Sequence, residues 1–156
     1  MTTPDPLSEL RARLGVIADL TQAQSLLGWD ENVYLPPEAA PARGQQLATL
    51  ARVIHERATD PALGELLGAA VPDSTSGDAS EDAALVRVAR RGYEQATKLP
   101  PEFVEAFARA RSAAQAAWVG ARSAGDYGAF APHLEGRLEL SLRQADMLGY
   151  DGHPYN

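Results

Sequence analysis

The stretch Pro6-Leu7-Ser8-Glu9-Leu10-Arg11-Ala12-Arg13-Leu14-Gly15-Val16-Ile17-Ala18-Asp19-Leu20 sets Leu7, Leu10, Leu14, Ile17 and Leu20 three or four residues apart. That spacing is the repeat of an α-helix with one apolar face. Asp5 ahead of Pro6 suits an N-cap followed by proline in the first turn, so a helix is expected from Pro6 to about Trp29. Elsewhere the apolar residues keep the same rhythm, and no β-branched alternation is long enough for a strand. The fold class is therefore all-α.

Beyond Trp29, the prolines of Asp30-Glu31-Asn32-Val33-Tyr34-Leu35-Pro36-Pro37 remove backbone donors and bias Leu35 away from helical dihedrals. A structured turn is expected there. A second helix, from Glu38 or Pro41, carries Leu47, Leu50, Ala51, Ile54 and Ala58 and ends at Thr59-Asp60-Pro61; Asp60 then caps a short third helix through Leu63, Leu66 and Leu67. Residues 71–80 are small, polar and turn-rich, which predicts a flexible linker. A fourth helix, Glu81 to Thr97, buries some of Leu85, Val86, Val88, Ala89 and Tyr93. A fifth, Pro101 to Ser123, aligns Phe103, Phe107, Ala110, Ala114, Ala117 and Ala121. Gly125 ends it. Asp126 is placed to cap a last helix with Phe130, Leu134, Leu138, Ala145 and Leu148, which Pro132 should kink or delay and Gly149 should close. About six helices packed largely antiparallel, in one domain over residues 1–156, are expected.

Composition narrows the function classes. Hydrophobic residues make up 45% and charged residues 22%, which fits a globular domain and neither a disordered nor a membrane protein. With no apolar run near bilayer length and no basic or apolar leader in Met1 to Pro6, a cytoplasmic location is expected. Zero cysteines exclude disulfides and thiolate-held zinc or iron-sulfur centres. The net charge of -7 disfavours nucleic-acid binding. Arg87, Arg90, Arg91 and Lys98 alternate with Glu81, Asp82 and Glu94, which reads as a solvated face with spaced ion pairs along one helix.

A zinc peptidase places two histidines four residues apart on one helical face, with a carboxylate beside the first. His55-Glu56-Arg57-Ala58-Thr59 comes nearest, but threonine stands where the second imidazole is needed, so His55 is expected at the surface and without metal. His133 and His153 have no ligand spacing, and neither a Glu-x-x-His pair, a phosphate-binding glycine loop nor a Gly-x-Ser-x-Gly elbow occurs. No catalytic or metal-ligating residue is assigned. Tyr93 and Phe107 read as core, and Trp118 as a core or interface anchor. Trp29, Asp30 and Tyr34 cluster at a helix end and a proline-rich turn. Asp30 capping or pairing with Arg43 is the favoured role, and cleft lining by the three is the minority one.

Leu26-Leu27-Gly28-Trp29-Asp30-Glu31-Asn32-Val33-Tyr34-Leu35-Pro36-Pro37, then Ala42-Arg43-Gly44-Gln45-Gln46-Leu47-Ala48-Thr49-Leu50-Ala51 and His55-Glu56, resemble the start of carboxypeptidase Taq enzymes. The resemblance continues through Thr97-Lys98-Leu99-Pro100, Ala113 to Trp118, Phe130-Ala131-Pro132-His133-Leu134-Glu135 and Leu148-Gly149-Tyr150-Asp151-Gly152-His153-Pro154-Tyr155. It implies a helical, cytosolic, metal-dependent carboxypeptidase, usually homodimeric and about three times longer than this chain. It also implies that the His-Glu-x-x-His helix and the other zinc ligands lie beyond Asn156. On this reading the chain alone holds no cofactor and hydrolyses no peptide; zinc or another divalent metal comes only with the catalytic portion.

The expected role is a non-catalytic N-terminal-type domain that forms a homodimer or partners a carboxypeptidase through apolar surface. The alternatives are a fragment of an active enzyme that releases C-terminal amino acids and an unrelated helical interaction scaffold.

Overall fold

A computed structural model of the chain describes residues 5–70 and 81–155. The linker expected at residues 71–80 lies outside the described residues. Six α-helices follow one another there: α1 Pro6–Val33, α2 Ala40–Ala58, α3 Pro61–Ala69, α4 Glu81–Ala96, α5 Pro101–Ala124 and α6 Tyr127–Leu148. A 3-10 turn at Pro37–Ala39 precedes α2. Among the described residues there is no strand, so the all-α expectation holds.

Local chemistry sets most of the helix ends. Asp5 accepts a hydrogen bond from the Ser8 amide at 3.1 Å ahead of Pro6, which satisfies one of the amides that a helix start leaves without a partner. Asp60 does the same for Ala62 at 2.9 Å, and Asp126 for Ala129 at 3.1 Å. Gly125 closes α5 with φ of 66°, a left-handed conformation that glycine adopts without a Cβ clash. Gly149 ends α6. Pro132 does not delay that helix, which already begins at Tyr127. The Asp126 cap secures the first turn, and the bond Pro132 fails to make would have ended at the carbonyl of Gly128, an exposed position open to solvent.

α1 runs one turn further than its apolar spacing suggests, to Val33 rather than about Trp29. Of the residues that precede it, Pro36 biases chiefly Leu35, which leaves the turn at Asp30–Val33 free to stay helical. The amides of Tyr34 and Leu35 both donate to the Asp30 carbonyl at 3.0 Å, which closes that last turn.

Two packed regions share α1. Its N-terminal half presents the fully buried Leu10 to Leu63, Leu67, Ala70 and Val86, with Leu7, Leu14, Ile17, Leu66, Ala89 and Tyr93 around them. This places α3 and α4 against one end of α1. The Arg13 guanidinium reinforces that end by reaching Asp60 Oδ2 at 3.3 Å. The C-terminal half of α1 instead meets α2, where Gln24 Nε2 donates to the Leu47 carbonyl at 3.1 Å and Arg43 Nη1 to the Leu27 carbonyl at 2.8 Å. Residue numbers fall on α2 as they rise on α1, so the pair is antiparallel. The same holds for α5 and α6, where Arg137 stacks on Phe107 and Arg143 on Phe103.

Arg87, Arg91 and Glu94 are exposed, as on the expected solvated face, but other charges at α4 reach across to neighbouring helices. Asp82 pairs with Arg11 of α1, and Arg90 Nη2 donates to the Leu67 carbonyl of α3 at 2.7 Å. Lys98, just after α4, donates to the Leu148 carbonyl at the C-terminus of α6 at 2.7 Å. Cations at the open carbonyls of a helix end are favoured by the helix dipole, so these side chains join helices instead of decorating a face.

Candidate functional site

Among the described residues α2 and α5 form the most extensive helix pairing, and Gly44 lets them approach closely. A Cβ added at Gly44 would lie 3.1 Å from Ser112 Oγ and 3.4 Å from Ser112 Cβ. Ser112, nearly fully buried among the alanines of α5, hydrogen-bonds Glu31 Oε1 in the last turn of α1. Three helices are thereby joined at one point. Between them lies a cleft of about 430 Å³, lined by Gln24, Trp29, Glu31 and Asn32 of α1, Leu47 of α2, and Phe107, Arg111 and Ser112 of α5, among others.

Of the three residues singled out from sequence, only Trp29 lines this cleft, and it is 54% exposed. Tyr34 meets the Trp29 ring edge-on at 5.6 Å between centroids, outside the cleft. Asp30 turns the other way, to Arg43 Nη1 at 2.6 Å. Asp30 thus pairs with Arg43, the favoured role, and of the three residues Trp29 alone borders this cleft. Glu31, Asn32, Arg111 and Ser112 were not singled out. The available signals were two polar residues directly after Asp30 and a lone hydroxyl in the alanine-rich α5.

Two carboxylates at the C-terminal end of α1 oppose its dipole. Tertiary partners compensate for them: Arg43 for Asp30, Ser112 for Glu31. The Arg43 guanidinium also carries the Leu27 carbonyl and Gln46 Oε1, the latter at 3.0 Å, and its side chain is only 13% exposed. Replacing Arg43 with methionine keeps the apolar stem and removes all three bonds. The expected loss is about 1–2 kcal/mol in urea unfolding, less than for a fully buried pair because Asp30 is partly solvated. Asp30→Asn in the same background should add little; additive losses would show that the two side chains act independently.

His55 is buried at 6% exposure, correcting the surface placement expected from sequence. It sits on the face of α2 that carries Gly44 and Ala48, and that face packs inward. Its neighbours on α2 are engaged elsewhere. Thr59 Oγ donates to the His55 carbonyl at 2.8 Å, and Glu56 pairs with Arg52 at 2.6 Å. Among the described residues, no group of three or more His, Asp or Glu side chains is arranged to hold an ion. The cleft offers donors, acceptors and an aromatic wall, which suit binding and positioning.

A family model described as Carboxypeptidase Taq (M32) metallopeptidase matches residues 9–156. The chain belongs to that family. Thermostable carboxypeptidase 1 of Thermus thermophilus is 34% identical over 132 residues, which are 84% of this chain and 26% of the relative. The crystal structure of the M32 carboxypeptidase from Deinococcus radiodurans R1 is 40% identical with a TM-score of 0.70, covering 96% of this chain and 30% of that one. The BsuCP crystal structure gives a TM-score of 0.87 at 26% identity, again over 96% of this chain and 30% of the other. The M32 chain thus spans between 26% and 30% of the length of the curated carboxypeptidases from Thermus thermophilus and Pyrococcus furiosus. No helix among its described residues is long and apolar enough to cross a membrane.

Proposed function

We propose that this chain is the N-terminal helical wall of an M32 metallocarboxypeptidase, non-catalytic by itself, which meets a zinc-bearing catalytic portion in the cytoplasm. The observation that carries this is the lock at the end of α1. The stretch Leu26–Pro37, which resembles the start of the family, is fastened by Asp30 to Arg43 and by Glu31 to Ser112, and it borders the cleft between α1, α2 and α5. A rigid helical edge of that kind positions a peptide and excludes water; the metal would polarise the scissile carbonyl and activate water. The wall itself supplies hydrogen-bonding groups and the Trp29 ring.

Self-association through α6 belongs to the same proposal. That helix buries no residue completely, and its Leu138 and Leu142 are exposed. Apolar side chains on an uncovered helix favour a second apolar surface, here another copy of the chain. Light scattering across micromolar concentrations should report a dimer, and a strict monomer would remove this part of the proposal.

The main experiment is complementation. The catalytic portion of an M32 relative, produced without its N-terminal helices, is mixed with this chain, and release of C-terminal amino acids is followed. Activity is expected only in the mixture and should disappear on chelation. Peptidase activity of the chain alone, lost with a chelator and restored by a divalent ion, would refute the reading. Absence of both binding and activity on mixing would reduce the chain to a folding relic of the family.

A further inference from the structure

We propose that the groove between α5 and α6 binds an aryl carboxylate, with the acid held by Arg111 and Arg137 and the ring held by Trp118 and Phe130. This site shares Arg111 with the cleft of the proposed wall but none of that cleft's other lining residues, and it does not rest on that reading. Phe107, Arg111, Gln115 and Trp118 follow one another at helical spacing along α5, and Phe130, Leu134 and Arg137 do so along α6. The two stripes run antiparallel, and all of these residues except Phe107 line an open groove of about 390 Å³ over the small buried side chain of Ala114.

The groove has two chemically distinct ends. Trp118 and Phe130 lie toward the connection at Gly125, whereas Arg137 lies at the Phe107 end, its Cζ 4.4 Å from that ring's centroid. Arg111 stands between them. Seven residues of α-helix separate Arg111 from Trp118, about 10 Å of rise, so a ligand with its acid and its ring a few bonds apart spans the two ends. Gln115 adds an amide in the middle.

Among the described residues neither Arg111 nor Arg137 has an ion-pair partner, in contrast to Arg11, Arg13, Arg43, Arg52 and Arg109. Arg137 Nη1 is buried with no hydrogen-bond partner. An unsatisfied buried donor is costly, and a charged one more so. A carboxylate in the groove would give that nitrogen an acceptor after a small rotation of a flexible side chain, and planar guanidinium matches carboxylate geometry. Stacking on Phe107 keeps the Arg137 plane in place meanwhile.

The probe is phenylbutyrate, with its neutral amide as control, read by the indole N–H signals of the two tryptophans in NMR spectra of the full chain. Phenylbutyrate should move Trp118 saturably and leave Trp29, which lies in the other cleft, unmoved. The amide should bind at least about tenfold more weakly, the loss expected when charge-assisted bonds are removed. Arg111→Gln and Arg137→Gln should each weaken phenylbutyrate and leave the amide unchanged. Equal shifts with acid and amide would overturn the proposal on the unaltered protein, whether or not the variants fold. No movement of Trp118 with either probe, while Arg111→Gln weakens self-association, would assign the guanidiniums to an acidic side chain of a second copy and also overturn it.

Discussion

Replacing Leu10 with alanine is expected to lower the unfolding free energy by about 2–5 kcal/mol, the range for emptying a closed aliphatic site. Leu10 is fully buried and sits under four further buried residues, Leu63, Leu67, Ala70 and Val86. These come from α3 and α4, so the cavity would open where two other helices depend on α1 for cover. Helical backbones fill a gap of several atoms only by moving as units, and the Arg13–Asp60 and Arg11–Asp82 pairs resist that movement. Native stability of a domain is on the order of 5–15 kcal/mol, so this loss takes a large share of it. Val16→Ala on the same helix, at a position 50% exposed, is the control and should stay within about 0.5 kcal/mol. Urea unfolding followed by circular dichroism measures both. Equal costs at the two positions would mean that the α1 face toward α3 is not the core.

The second large effect is expected at Gly44. Alanine there gains about 0.5–1 kcal/mol of helix preference over glycine. Its methyl, however, would stand 3.1 Å from Ser112 Oγ, so part of that gain goes into shifting a buried hydroxyl. Valine adds two carbons at the same contact. Overpacking of this kind costs about 1–3 kcal/mol, and displacing Ser112 also removes its bond to Glu31. Gly136→Val is the matching control, because nothing lies within 4 Å of a Cβ at Gly136. The control should be neutral or slightly stabilising, and Gly44→Val clearly destabilising. A further readout separates packing from propensity: Gly44→Val should loosen the end of α1, seen as faster amide exchange at Tyr34 and Leu35. If exchange there is unchanged, the three-helix junction is not continuous.

The candidate site was only partly legible in the chain. Trp29, Asp30 and Tyr34 drew attention because a helix end, a carboxylate and two aromatics met before a proline pair. Folding sends them in different directions. Trp29 faces the cleft, Tyr34 packs on its edge, and Asp30 reaches Arg43 on the opposite side. Glu31 could be read as a site residue only with Ser112 in view, and these two positions lie 81 residues apart. Nothing local marks a contact of that range.

Capping residues and apolar periodicity mattered most for the elements themselves. Asp5, Asp60 and Asp126 begin helices, and Gly125 and Gly149 end them, through bonds and dihedrals confined to a few neighbouring residues. Such interactions are written in consecutive side chains and survive any arrangement of the helices. Three features depended on the arrangement: the extra turn of α1, the burial of His55, and the dispersal of the α4 charges among α1, α3 and their surroundings. Each turns on what packing brings from elsewhere in the chain: partners for the carboxylates that oppose the α1 dipole, cover for His55 on the inward face of α2, and a carbonyl acceptor for Arg90. The distance between partners along the chain carries no such information, and only packing brings them within bonding range.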